Sequence, residues 1–134
     1  MALGCSLGAF HAANALLRRP DIFESVIALS GAYDARWLMA GYMDDLVYLN
    51  SPLDSIRGMP VDHPWLQKYR DCRIILCCGR GAWEEEMLRS VKLLQQAMND
   101  KGIHPWIDIW GEDVNHDWKW WRTQLKYFLA TLMP

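Results

Sequence analysis

No stretch of this 134-residue chain approaches the roughly 20 consecutive apolar residues that would span a bilayer. Its first residues lack the basic segment and apolar run of a secretory leader. No membrane partner is expected, and the expected location is cytoplasmic. Basic runs with interleaved aromatics are also absent, the net charge is −2 and the pI is near 6.0, so nucleic acid is not an expected partner. The four cysteines, Cys5, Cys72, Cys77 and Cys78, form no C-x-x-C pair, which argues against a zinc site or a disulfide framework. They read as small buried hydrophobes in a reducing compartment. Internal repeats, linkers and low-complexity segments are missing, so residues 1–134 read as one domain, and no metal or organic cofactor is implied.

What is present is an apolar fraction of 51% against 22% charged, the balance of a globular protein. Eight tryptophans must be buried as large rings or line a pocket. Ala9 to Arg19 has Phe10, Ala13, Leu16 and Leu17 on one helical face and is stopped by Pro20. The apolar runs Ser25 to Gly31, Cys72 to Gly79 and Pro105 to Gly111 read as strands, the first buried on both faces. Residues 32–70 read as irregular, a short helix and a proline-interrupted loop. In the helix that runs from Trp83 to Gly102, residues Met87, Val91, Leu94 and Met98 share a face, acidic residues crowd the first turn, and Gly102 ends it. A last helix from Trp118 turns Trp121, Leu125, Phe128, Leu129 and Leu132 inward. Strands alternating with helices predict an α/β fold with a mainly parallel sheet.

The stretch Gly4-Cys5-Ser6-Leu7-Gly8 matches G-x-S-x-G, a sharp strand-to-helix turn that lifts a serine hydroxyl above the sheet. Ser6 is the candidate nucleophile, and the N–H of Leu7, at the helix start, would face an oxyanion. The plain alternative is a glycine-rich turn with an ordinary serine. A base must be one of His11, His63, His104 and His116. His11 points away from Ser6 on the same helix, and His63 and His104 precede Pro-Trp pairs in turns. His116 follows the last strand, which puts it at the carboxyl edge where Ser6 is presented; otherwise it is a helix-capping histidine. The orienting acid should follow the strand ending at Gly79, where Glu84, Glu85 and Glu86 also suit a helix dipole. The order Ser, Glu, His is that of α/β hydrolases and differs from the chymotrypsin and subtilisin orders.

The segment from Gly4 to Asp34, the loop Asn50 to Ile56, the strand from Arg73 to Met87 and the stretch "DVNHDWKWW" together resemble the esterase family that includes esterase D, feruloyl esterases and mycolyltransferases. The resemblance runs over essentially the whole chain. It implies a Ser-His-acid α/β hydrolase that cleaves esters or transfers acyl groups. Ser6 would be the nucleophile, His116 the base, Leu7 an oxyanion-hole donor, and Glu84 the acid by the pattern Gly81 to Met87, with Glu85 the reserve. Family members carry roughly a hundred residues before the elbow. This chain is therefore expected to be a partial α/β-hydrolase fold, with N-terminal strands and a second oxyanion donor missing.

The expected function is a serine carboxylic-ester hydrolase acting on a small-molecule ester. Trp37, Tyr42 and Trp65 are candidate pocket walls, from the aromatic density of residues 32–70; their alternative role is packing onto the sheet. The competing expectation is a catalytically weak hydrolase remnant that binds or forms homo-oligomers through an exposed sheet edge. A serine peptidase on the same fold is the third.

Overall fold

In the computed structural model, which describes residues 1–134, four parallel strands form one sheet. They are β1 (Ala2–Cys5), β2 (Ser25–Leu29), β3 (Arg73–Cys78) and β4 (Trp106–Ile109), ordered in space as in sequence. The register aligns Ala2 with Val26, Val26 with Ile74, and Ile75 with Trp106. Each strand therefore ends near one edge, where the following loops gather. Helices cover both faces, as a parallel sheet buried on both sides requires. No helix is long and apolar enough to cross a membrane.

Strand alternation sorts the core. Val26, Ala28, Ile74, Leu76 and Cys78 face the larger cluster, built with α1 (Leu7–Arg18), α4 (Pro52–Gly58), α5 (Trp65–Asp71) and α6 (Glu85–Asp100). Ile27, Leu29, Ile75 and Cys77 face the opposite way, against Trp121 and Phe128 of α7 (Trp118–Leu132). Each fully buried aliphatic or aromatic side chain contributes about 1.5–3 kcal/mol. The inward faces of α6 and α7 follow the expected periodicity, with Gln124 buried on α7 as well. Cys77 and Cys78 are buried, Cys5 and Cys72 half-buried, and all four are free thiols.

Residues 32–70 depart from the expected irregular loop. They hold α2 (Ala35–Leu38), α3 (Asp45–Leu49), α4 and α5. The cause is local capping. The Asp34 and Asp44 carboxylates accept from the N–H groups of Arg36 and Val47, and Pro52 opens α4 at a position where its missing N–H costs nothing. Ser51, fully buried, accepts from the Ala35 N–H and donates to Asp54, joining α2 to α4.

Candidate active site

The turn after β1 holds Ser6 at φ 56° and ψ −123°, a conformation that L-residues rarely adopt. The turn is tight enough that a Cβ on Gly4 would overlap the carbonyl of Gly8, so position 4 must be glycine. Gly8 contributes its backbone to that contact, and a Cβ there would meet nothing within 4 Å. Leu7 is the first residue of α1, so its N–H has no intrahelical acceptor and lies next to Ser6.

The loops after β3 and β4 are laced together. Arg80 N–H donates to the Gly111 carbonyl, Gly81 N–H to Val114, and His116 N–H to Ala82. A Cβ on Gly79 would overlap the Val114 carbonyl, so glycine permits this approach. The lacing brings Glu84 and His116 to the carboxyl edge beside Ser6. His116 Nε2 lies 2.8 Å from Ser6 Oγ, and His116 Nδ1 lies 3.2 Å from Glu84 Oε2. The histidine side chain is 18% exposed and the glutamate side chain 0%.

Glu84 is held from its other side too. Its Oε1 accepts from Ser30 Oγ at 2.6 Å and from the Gly79 N–H at 3.1 Å. Ser30, at the end of β2, sits at φ 53° and is itself bonded by Trp121 Nε1 at 3.0 Å. The Trp121 ring stands edge-on to the His116 ring, with centroids 4.8 Å apart. Three donors thus converge on this buried carboxylate, two on Oε1 and one on Oε2, the kind of pairing a buried charge needs. Ser30 and Trp121 are the parts of this arrangement that sequence reasoning missed. The small-residue turn Ser30-Gly31 closing a buried strand was the available signal for the first.

Of the three glutamates, only Glu84 turns inward. Glu85 is exposed, and Glu86 pairs with Arg89. The other histidines lie elsewhere. His63 Nδ1 accepts from the Trp65 N–H, His104 pairs with Asn99, and His11 is exposed on α1. No group of three His, Cys, Asp or Glu side chains is arranged to hold a metal ion.

Trp37 lines a cavity of about 280 Å³ together with Ser6, Leu7, Ala32, Leu38 and Met87. Tyr42 and Trp65 are not among its walls, contrary to expectation. Tyr42 is exposed on the turn after α2, and its hydroxyl donates to Asp44. Trp65 lies in a separate concavity with Leu17 and Arg18, at the far end of α1 from Ser6. The reason is the chain path: α5 must descend to the amino edge to start β3 at Arg73.

The family described as the alpha/beta hydrolase fold matches residues 1–131. Among solved structures, a ferulic acid esterase is 23% identical, with a TM-score of 0.74 over 95% of this chain and 47% of its own. An S-formylglutathione hydrolase from Staphylococcus aureus is 16% identical, with a TM-score of 0.67 over 98% and 50%. The capsule O-acetyltransferase of Neisseria meningitidis serogroup A is 17% identical, with a TM-score of 0.61 over 98% and 55%. The chain thus spans about half the length of the solved structures it matches. Comparison with curated protein sequences gave no match.

Proposed function

Because the chain belongs to the alpha/beta hydrolase fold family, and because Ser6, His116 and Glu84 form one hydrogen-bonded line, we propose that it carries the catalytic triad of a serine carboxylic-ester hydrolase. The observation that carries this reading is the pair of contacts on one imidazole, 2.8 Å to Ser6 Oγ and 3.2 Å to Glu84 Oε2. With Glu84 ionised, Nδ1 carries the proton and Nε2 is free to accept from the serine hydroxyl. Ser6 Oγ attacks the ester carbonyl as its proton passes to Nε2. The tetrahedral oxyanion accepts from the Leu7 N–H, and collapse expels the alcohol, which takes the proton from His116. Water, deprotonated by the same nitrogen, then releases the acid from the acyl-enzyme. One oxyanion donor is worth roughly 100- to 1,000-fold in turnover, which is the weight this reading puts on the Leu7 N–H. Esters rather than peptides are favoured by the esterase resemblance.

The test is a pre-steady-state assay with a p-nitrophenyl ester. The reading expects a burst of one p-nitrophenol per chain followed by slower turnover, with both absent in Ser6→Ala. A burst that survives Ser6→Ala removes Ser6 as nucleophile.

The exposed edge favours a second property. β1 is paired on one side only, and Leu3 within it is 51% exposed, so association of two copies through this edge is expected. Size-exclusion chromatography should show a dimer that Leu3→Lys dissociates. A monomer at every concentration would refute it.

A further inference from the structure

The cavity that holds Ser6 shares walls with two further concavities of opposite chemistry. It shares Leu7 and Leu38 with a groove of about 570 Å³ between α1 and the α2–α3 segment, walled by Leu7, Phe10, Leu38, Met39, Leu46 and Val47. It shares Trp37 and Met87 with a cavity of about 620 Å³ that includes Trp83, Glu85, Glu86 and Arg89. The first has no charged side chain among its lining residues; the second has three.

The mechanism proposed above assigns the two directions. His116 must hand its proton to the departing oxygen, so the leaving group lies on the histidine side. His116 is bonded through its N–H to Ala82, next to Trp83, which puts the charged cavity on that side. The acyl group then extends the other way, past the Leu7 N–H, into the apolar groove. The groove ends in polar groups: His11 and Asn50 line it, and Asn50 is bonded to Asn14, two turns along α1 from Leu7. An unbranched chain fits such a channel, and a carboxylate or ammonium in it would find no counter-charge.

We propose that the α1–α3 groove is an acyl-binding site for an uncharged, medium-length aliphatic acyl chain of about eight carbons, comparable in size to small ligand sites of a few hundred Å³. The proposal rests on the hydrolase reading for its direction, but the groove can be tested without turnover. A methylene held in a half-open apolar groove should raise kcat/KM about two-fold, half or less of the gain from full burial. Octanoyl should then exceed acetyl by about 50-fold.

The experiment compares p-nitrophenyl acetate with p-nitrophenyl octanoate on the full chain, on Leu46→Glu, and on Val61→Glu as a control. Leu46 is 71% exposed and Val61 is 78% exposed, so neither substitution disturbs the core. The expected result is an octanoyl-to-acetyl ratio of about 50 that falls at least ten-fold in Leu46→Glu and persists in Val61→Glu. Hydrolysis of both esters with a ratio near one would overturn the groove and leave the hydrolase reading standing. If neither ester is cleaved, methyl NMR titration with sodium octanoate decides. Shifts confined to Leu7, Leu38, Leu46 and Val47 would uphold the groove while the hydrolase reading fails; no shifts would overturn the groove.

Discussion

Replacing Glu84 by Gln exchanges one oxygen for an NH2 in a side chain with no exposed surface. The carboxylate accepts from Ser30 Oγ, the Gly79 N–H and His116 Nδ1. The amide has one acceptor oxygen, and two of the three donors converge on Oε1, at 2.6 and 3.1 Å. The amide oxygen therefore stays with Ser30 and Gly79, and the NH2 faces His116. Two N–H groups cannot face each other, so Nδ1 loses its proton and Nε2 gains one. The imidazole is then in the tautomer that cannot accept from Ser6. A wrong-tautomer triad loses about 10⁴-fold in turnover, equivalent to about 5 kcal/mol in the barrier. The cost in stability is smaller, about 0.5–1.5 kcal/mol, because every buried polar atom keeps a partner. Activity should therefore collapse in a folded protein. The assay is kcat/KM on a p-nitrophenyl ester beside a thermal melt, with the ring nitrogen shifts of His116 reporting the tautomer. A folded Glu84→Gln that retains activity within ten-fold of the parent would refute the assignment of Glu84 as the orienting acid.

Three further outcomes follow from the same geometry. Gly4→Ala should destabilise by about 3 kcal/mol or more, since its Cβ overlaps the Gly8 carbonyl, whereas Gly8→Ala should be neutral or stabilising by up to about 1 kcal/mol; paired denaturant melts distinguish them. Ser30→Ala removes a donor to Glu84 and an acceptor for the Trp121 N–H. It should lower kcat by about ten-fold or more at little change in KM; a change in the melting temperature alone would make Ser30 merely structural. Burial pushes the Cys77 thiol up and the Cys78 thiol up to about 12, so at pH 8 about one Cys78 in 10,000 is thiolate. Native protein should then resist iodoacetamide at both positions until denatured. The stabilisation from keeping these thiols neutral is complete below the unfolded value of 9.0 and is lost as pH rises toward 12, so the melting temperature should fall across that range.

The parts of the fold and site legible in advance were those written in local pattern. The apolar runs around Ile27, Leu76 and Ile107 marked strands, and the glycines at 4 and 8 marked the turn that holds Ser6. The order serine, glutamate, histidine is readable because Ser6, the Glu84–Glu86 run and His116 each follow a strand, and a parallel sheet delivers successive strand ends to one edge; Glu84 within that run comes only from the family resemblance. What could not be read was whatever depends on long-range approach. Ser30 is an ordinary serine in sequence, and it matters only because β2 ends between Glu84 and Trp121. Glu84 and Glu85 are one residue apart, a step that turns a side chain from core to solvent and that local pattern does not resolve. Aromatic density points Trp65 toward the site but says nothing about the segment's path, and α5 carries that ring to the opposite edge. Proline content makes residues 32–70 look irregular, while the Asp34 and Asp44 caps and Pro52 at a helix start give them short helices.

The most direct test of the central claim is intact-mass analysis of the purified chain after exposure to a fluorophosphonate, with Ser6→Ala and His116→Ala in parallel. The account predicts one adduct per chain, absent in both variants, because only a serine activated by its histidine attacks phosphorus at a useful rate. A chain that is folded by circular dichroism yet takes up no adduct, or takes it up equally in Ser6→Ala, would contradict it.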